Sequence, residues 1–177
     1  MTDEARIKAA FAPLQVAMRD FAEGPVRSAL DSLLRPDAMV HLCHPFGEAQ
    51  APQALWSALA PLLVAMPDLE RRDVIVMAGR DRDGALWLGS CGEYMGTFTA
   101  PWLDIPPTGH LARQRFHEFY RFADDRVAEV QLLWDIPGLM HQAGAWPLAP
   151  GLGREMSAPA PADSGHRQAR PLLGARQ

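Results

Sequence analysis

Two strand-like runs separated by a short acidic turn constrain the fold of this chain more than any other feature. The runs cover residues 112–122 and 127–134, and the Ala-Asp-Asp-Arg segment between them has the length and composition of a tight turn. If residues 123–126 form the loop, Phe122 lies opposite Val127 in an antiparallel pair. The sequence therefore predicts a β-hairpin whose register can be counted from its turn.

The predicted register assigns every side chain of the hairpin to one of two sheet faces. Counting back from the turn puts four opposed pairs on one face: Tyr120 with Glu129, Glu118 with Gln131, Phe116 with Leu133, and Gln114 with Asp135. Neither a sealed core nor a solvent-facing sheet usually combines large apolar groups with carboxylates in this way. We therefore expect this face to line a ligand pocket, with His117 on the opposite face. A slip of one residue would exchange the two faces.

The elements predicted outside the hairpin indicate an α+β fold. Apolar residues at helical spacing predict three helices and a short fourth one, and strand-like runs predict three further strands. The helices are expected at residues 3–22, 26–34, 52–66 and 136–142, and the strands at 38–44, 72–78 and 85–98. Three glycines within the last strand indicate bulges or strong curvature. Helices grouped on one side of a curved, mostly antiparallel sheet form a cone, whose open mouth is the expected ligand site.

Length and composition restrict the functional classes. The 177 residues fit one domain, expected over residues 1–153, followed by a flexible tail over 154–177 that has no periodicity. The net charge of −4 argues against nucleic acid as the main partner, and no apolar run is long enough to span a membrane. The N-terminus lacks a signal-peptide pattern, and the two cysteines form no disulfide framework. We therefore expect a cytoplasmic protein with reduced thiols.

Three short motifs resemble the SnoaL-like polyketide cyclases of the NTF2-like superfamily. They are the G-T-F at residues 96–98, the P-P-T-G at 106–109 and the D-x-x-G-L-x-x-Q at 135–142, in a similarity that extends over about residues 5–145. The resemblance implies an NTF2-like cone and an intramolecular aldol ring closure that uses a pocket aspartate as acid and base, with no metal or cofactor. By its place in the last motif, this aspartate is Asp135. The superfamily also includes binding modules without catalytic activity, so the resemblance identifies no substrate.

The predicted catalytic residues are Asp135, Glu118 and His44. A carboxyl group on an apolar pocket wall, close to a second carboxylate, is expected to have a raised pKa, which suits a general base. The alternative for Asp135 is a cap on the final helix. The alternatives for Glu118 are an ion pair with Arg113 or Arg115, or solvation at a sheet edge. His44 precedes a proline at the end of a predicted strand and can reach the cone mouth as a second base.

The residues predicted to bind the ligand without reacting are Gln131, Gln114, Tyr120, Phe116 and Trp102. The first four follow from the predicted pocket face. Trp102 lies in the loop over residues 99–108, which we expect at the mouth, and its alternative is a hydrophobic anchor for that loop. His41 and His44 are three residues apart on a predicted strand and point to opposite faces, so no metal site is predicted.

Two functions remain open at this point. The first is a cofactor-independent acid/base enzyme acting on a small, apolar, carbonyl-bearing molecule. The second is a binding or dimerisation module without catalytic activity, in which Phe116, Tyr120 and Leu133 close the cavity. We also expect a homodimer formed through the outer face of the sheet.

Overall fold

The described part of the chain, residues 1–50, 52–149 and 153 of a computed structural model, contains four helices and one six-stranded sheet. The helices are α1 (Asp3–Asp20), α2 (Glu23–Leu33), α3 (Pro52–Ala65) and α4 (Ile136–Gln142). The strands are β1 (Leu34–Leu42), β2 (Gly47–Gln50), β3 (Glu70–Arg80), β4 (Leu86–Thr97), β5 (Leu111–Ala123) and β6 (Arg126–Trp134). The predicted α+β class is confirmed, and the predicted tail over 154–177 lies outside the described residues.

The sheet has the strand order β2-β1-β6-β5-β4-β3. Strands β3 to β6 form the predicted antiparallel meander, while β1 pairs in parallel with β6 and antiparallel with β2. The sheet is therefore mixed but mostly antiparallel, as predicted. The prediction did not include β2, and it began β1 four residues too late.

The helices cover the inner face of the sheet and form the core with it. The buried stripe of α1 has the predicted helical spacing and consists of Ile7, Phe11, Leu14 and Met18. Thr2 caps this helix, since its side chain accepts a hydrogen bond from the backbone N–H of Ala5. Each fully buried large apolar side chain contributes about 1.5–3 kcal/mol by leaving water. This burial fixes the helices against the sheet and so positions the inner-face groups of β3, β4, β5 and β6.

A bulge in β6 makes the predicted hairpin register wrong beyond its first pair. Phe122 lies opposite Val127 as predicted, but Arg121 lies opposite Glu129, so Ala128 is an extra residue in β6. From there on, Tyr120 pairs with Val130, Glu118 with Leu132 and Phe116 with Trp134. An extra residue inverts the alternation of one strand and leaves its partner unchanged. The predicted faces are therefore right for β5 and inverted for β6.

A second bulge lies in β3, between Asp73 and Ile75. The strand opposite it has Gly92, where a Cβ atom would come within 1.9 Å of the backbone oxygen of Arg72. Only glycine leaves room for this approach. The prediction that glycines in β4 mark a bulge is confirmed at this position.

None of the helices in the described part of the chain has the length and apolar character needed to cross a membrane.

Candidate functional site

The Glu118 side chain lies in the middle of β5 on the inner face and is fully buried. Among the described residues, four groups donate hydrogen bonds to its carboxylate. Oε1 accepts from the hydroxyl of Tyr94 at 2.9 Å and from the indole N–H of Trp134 at 3.1 Å. Oε2 accepts from Arg71 Nη1 and from the hydroxyl of Tyr120, both at 2.5 Å. The predicted alternatives, Arg113 and Arg115, are not its partners, since both lie on the outer face.

Arg71 is the buried cation that balances Glu118. Its guanidinium lies over the ring of Phe116, with Cζ 4.0 Å from the ring centroid, and also donates to Asp73 Oδ1 from Nε at 3.1 Å and from Nη2 at 3.0 Å. Burial alone would lower the pKa of Arg71, but the negative charge of Glu118 and smaller electrostatic contributions from Tyr94, Tyr120 and Asp73 together outweigh it and hold this pKa well above its usual value. The guanidinium is therefore a permanent positive charge inside the protein.

Both tyrosines of the network retain their protons. Burial raises the pKa of Tyr94 well above its usual value, and the charge of Glu118 raises it further, while the charge of Arg71 opposes the change. The pKa of Tyr120 is likewise raised well above its usual value, first by burial and then by the charge of Glu118. A phenol in this state is a hydrogen-bond donor at neutral pH. Glu118 is therefore surrounded by neutral donors and one cation.

Asp73 connects this network to the edge of the core. Its carboxylate binds Arg71 and accepts a 2.5 Å hydrogen bond from the hydroxyl of Ser90. Burial alone would raise the pKa of Asp73, but the charge and hydrogen bonds of Arg71, together with hydrogen bonds from Ser90 and Gln15, outweigh it, so the pKa is lowered. The bulge that follows Asp73 shifts the alternation of the strand, so this carboxylate is the last inner-face group before the strand changes phase.

Asp135 lies at the rim of the sheet, outside this network. Its Oδ2 binds Arg115 on the outer face, with Nη2 at 2.7 Å, and its Oδ1 caps α4 by accepting from the backbone N–H of Gly138 at 2.8 Å. The predicted position of Asp135 opposite Gln114 is wrong, because the bulge at Ala128 moves Trp134 into line with Phe116. The capping alternative is therefore confirmed as a structural role, and the acid/base role of Asp135 stays a prediction.

The D-x-x-G-L-x-x-Q motif docks α4 onto β5. Leu139 is buried in the core, and the Gln142 side chain binds both backbone groups of Arg113, donating to its oxygen at 2.6 Å and accepting from its N–H at 2.9 Å. Gly138 leaves space for the carboxyl group of Asp135, which a Cβ atom would approach to 2.5 Å. Each defined position of the motif thus has a structural function in this chain.

Gln114 is buried on the inner face as predicted, Trp102 is buried within the loop predicted at the mouth, and both have unpartnered polar atoms among the described residues. Neither Oε1 nor Nε2 of Gln114 has a hydrogen-bond partner among the described residues, and the same is true of Nε1 of Trp102. Phe46 lies between Trp102 and Trp134, with ring centroids 6.2 and 5.8 Å away. Phe116 and Tyr120 also lie on the inner face, against the Arg71–Glu118 network.

Gln131 and His44 are not among the groups brought together inside the cone. Gln131 lies on the outer face and donates to Glu129 Oε1 at 2.8 Å, so its predicted place in the pocket is wrong. The cause is again the bulge, which inverts the faces of β6. His44 is exposed in the turn between β1 and β2. Among the described residues, no three His, Cys, Asp or Glu side chains are grouped so that they could hold a metal ion.

Comparison with known proteins identifies the family of this chain. The sequence model of the SnoaL-like polyketide cyclase family matches residues 13–143, about three quarters of the chain. The chain belongs to the SnoaL-like polyketide cyclase family. The predicted resemblance is thus confirmed. No curated protein sequence matches the chain.

Solved structures show the same NTF2-like fold at low sequence identity. A candidate SnoaL-like polyketide cyclase from Jannaschia sp. CCS1 superimposes with a TM-score of 0.69 at 18% identity, covering 83% of this chain and 97% of its own. AclR, a candidate hydroxylase from Streptomyces galilaeus, gives 0.67 at 20% identity, covering 84% and 91%. IdmH, a candidate polyketide cyclase from Streptomyces antibioticus, gives 0.63 at 19% identity, covering 77% and 97%. At these identities the likeness shows the fold alone.

Sequence reasoning missed the partners of Glu118 in this SnoaL-like protein. A carboxylate predicted on an apolar inner face implies a buried cation, because an unpaired buried charge is strongly disfavoured. That signal pointed to an arginine on a neighbouring inner face. It did not distinguish Arg71 from Arg72, since a one-residue change of phase in β3 exchanges their faces.

Proposed function

We propose that this SnoaL-like protein is a cofactor-independent acid/base enzyme acting on a small, uncharged, carbonyl-bearing molecule. The reaction is an intramolecular aldol ring closure or a related isomerisation. The observation that carries the proposal is the buried carboxylate of Glu118, held beside one permanent cation and three neutral hydrogen-bond donors. Buried ionisable clusters of this kind are costly to keep in a core and are concentrated at functional sites.

The chemistry assigned to the network is proton removal next to a carbonyl group. Glu118 takes the proton from the carbon beside the carbonyl, and the enolate carbon then attacks a second carbonyl of the same molecule. The new alkoxide oxygen then takes this proton back from Glu118, so the atoms balance and the product is an isomer. Protonation of Glu118 removes one of the two carboxylate charges beside Arg71, so more of the guanidinium charge is available to stabilise the anionic enolate in a site with little water. Tyr94 and Tyr120 supply neutral donors for the enolate oxygen.

Exchange of carbon-bound protons tests this proposal without knowledge of the natural substrate. The probes are aromatic β-keto esters and β-diketones in D2O, and NMR follows the loss of the proton signal between their carbonyl groups. We expect the wild-type protein to accelerate exchange and Glu118→Gln to reduce that acceleration by about 10²–10⁴-fold, the usual contribution of a general base. Because Glu118→Gln weakens the pair with buried Arg71, circular dichroism must first show that this variant is folded.

Asp135→Asn is the matched control, since it changes a rim carboxylate in the same way. An asparagine still caps a helix, so we expect exchange within about twofold of the wild-type rate if Glu118 is the base. Loss of exchange in Asp135→Asn alone would instead assign the base to Asp135, the residue implied by the family motif. Either result identifies which carboxylate removes the proton.

A binding module without catalytic activity is the second candidate. It is favoured by the state of Glu118, whose two oxygens already accept four hydrogen bonds from the protein itself. Large rings also fill the space around it, with the Phe11 and Tyr120 centroids only 4.9 Å apart. Probe binding without any acceleration of exchange would support this second candidate and overturn the first.

A further inference from the structure

We propose that Gln114 and Trp102 form a recognition subsite for an uncharged aromatic ligand that carries a carbonyl oxygen and a hydroxyl group. The subsite deepens the proposed function, on which it rests, because it assigns the residues that select and orient the molecule. It lies apart from the Glu118 carboxylate. Its polar atoms have no partner within the described ranges, whereas those of Glu118 are occupied.

The Gln114 amide is the first observation. Its side chain lies on the inner face of β5 with only 1% of the residue exposed, yet neither the oxygen nor the nitrogen has a partner among the described residues. Buried side-chain amides nearly always form hydrogen bonds, because leaving them unpaired opposes folding. An amide kept in this state is available to a ligand as one acceptor and two donors.

The Trp102 indole is the second observation, and it comes from a different element. Only 2% of this residue is exposed, and its Nε1–H has no partner within the described residues. The backbone of Trp102 is held because it exchanges two hydrogen bonds with Ile105, at 3.2 and 2.9 Å, and the ring itself is held by burial. The loop therefore presents one immobilised N–H donor and one aromatic face.

Aromatic rings connect these two groups at one end of the cone. Phe46 contacts both Trp102 and Trp134. Trp134 lies directly opposite Phe116, and Gln114 is two residues from Phe116 on the same face, so Gln114 and Trp134 are diagonal neighbours. Phe46 itself is half-buried, in the turn between β1 and β2, which places solvent access beside this cluster.

The chemistry of these groups defines the ligand. The walls are aromatic and the polar atoms are neutral, so a flat uncharged molecule gains contact area without leaving a charge unpaired. The amide nitrogen and the indole N–H each donate to a carbonyl oxygen, and the amide oxygen accepts from a hydroxyl group. A buried water molecule is the competing occupant, because it also satisfies two to four polar groups.

Matched naphthalene probes and matched variants test the subsite. The probes are 2-acetylnaphthalene, 2-naphthol and 2-ethylnaphthalene, which share a ring system and differ in the polar group. The variants are Gln114→Met and Trp102→Phe, with Gln131→Met as a control that makes the same change on the outer face. Isothermal titration calorimetry measures the affinity, and differential scanning calorimetry measures the unfolding temperature.

We expect Gln114→Met and Trp102→Phe to weaken binding of the two oxygen-bearing probes by about tenfold, the value of one ligand hydrogen bond. Binding of 2-ethylnaphthalene should be unchanged or tighter, and Gln131→Met should behave as the wild type. Gln114→Met should also keep or raise the unfolding temperature, because it removes an unpaired buried amide. An apolar side chain of the same shape then replaces it.

Two results would overturn the subsite. One is a wild-type protein that fails to prefer the oxygen-bearing probes over 2-ethylnaphthalene. The other is a Gln114→Met variant with unchanged affinities and a lowered unfolding temperature, which would identify a structural, water-bonded amide. The proposed function fails separately: binding that depends on Gln114 without proton exchange refutes only the enzyme, and exchange with no dependence on Gln114 refutes only the subsite.

Discussion

Arg71 and Glu118 show how one buried carboxylate determines the residues around it. A buried ion pair stabilises a fold only if further hydrogen bonds satisfy the remaining donors and lone pairs. Here Glu118 also accepts hydrogen bonds from Tyr94, Tyr120 and Trp134. The remaining donors of Arg71 include those that bind Asp73. The sequence predicted Glu118 on an apolar pocket face, and the structure buries it on that face. The sequence did not predict these partners, because they depend on the phases of three other strands.

We predict that neither tyrosine ionises while the protein is folded. The chain has two tyrosines, Tyr94 and Tyr120, and the pKa of each is raised well above its usual value, mainly by burial. A folded-state pKa above the unfolded value gives stability that is fully present below about pH 10 and is lost as the pH rises further. Ultraviolet absorbance should therefore show tyrosinate only as the protein unfolds in alkali.

The same titration in denaturant is the reference for this prediction, since both phenols of the unfolded chain should ionise near about pH 10. Tyr120→Phe should halve the absorbance change, and the remaining change should still occur at the pH at which the protein unfolds. A phenol that titrates reversibly near its ordinary pKa, with the circular dichroism spectrum still native, would show that the network is open to water.

At the scale of secondary structure elements, the bulge at Ala128 separates what could be predicted from what could not. The turn length correctly placed Phe122 opposite Val127. The composition of β6 also had a signal, because Val130, Leu132 and Trp134 form its more apolar set and are the residues that face the core. The register counted from the turn and the apolar pattern of β6 agree only if the strand has one extra residue. Neither of them shows where in the strand that residue lies. Gln131 and Leu133 were therefore assigned to the wrong face.

The docking of α4 gives a prediction in which a normally favourable substitution should be harmful. Replacing a helical glycine with alanine usually stabilises a helix by about 1 kcal/mol. At Gly138 the new Cβ atom would lie 2.5 Å from Asp135 Oδ2, so the carboxyl group must leave its capping position. We expect Gly138→Ala to lower the free energy of unfolding by about 1 kcal/mol, because the lost cap outweighs the gain in helix propensity. Urea denaturation measures this change.

Gly24→Ala is the control for this experiment. Gly24 lies in the first turn of α2, and a Cβ atom there would meet nothing within 4 Å. This variant should show the ordinary gain in stability. If both variants gain stability to the same extent, Asp135 is free to move and the motif does not fix α4 through its cap.

At the scale of the whole molecule, fold and family were predictable while the composition of the site was not. The fold depends on many positions whose periodicity and turn signals agree, and short motifs in the right order were sufficient for the family. The site depends on a few side chains whose faces are set by two bulges, in β3 and β6. A single unpredicted bulge residue therefore leaves the fold prediction correct, but it assigns the inner-face side chains of that strand to the outer face and the outer-face side chains to the inner face.

The outer face of the sheet carries apolar groups that a single copy of the chain leaves in water. Met77, Phe119 and Leu133 are 56%, 45% and 62% exposed. A groove of about 520 Å³ between β1, β5 and β6 adjoins them, and Phe119 and Leu133 are among its lining residues. The same face carries an ion pair between Arg121 and Glu129, which fits the polar rim that surrounds the apolar centre of an interface related by a twofold axis.

We therefore predict a homodimer that is formed through this outer face. Phe119→Asp should weaken the dimer by at least about 30-fold, because loss of a central aromatic contact typically costs 2 kcal/mol or more. Val16→Asp is the matched control, since Val16 is also an exposed apolar residue, at 64%, but lies on α1, on the other side of the sheet. Light scattering after size-exclusion chromatography should give a dimer for the wild type and the control and a monomer for Phe119→Asp. A monomeric wild-type protein, or a dimer that Phe119→Asp leaves intact, would contradict this interface.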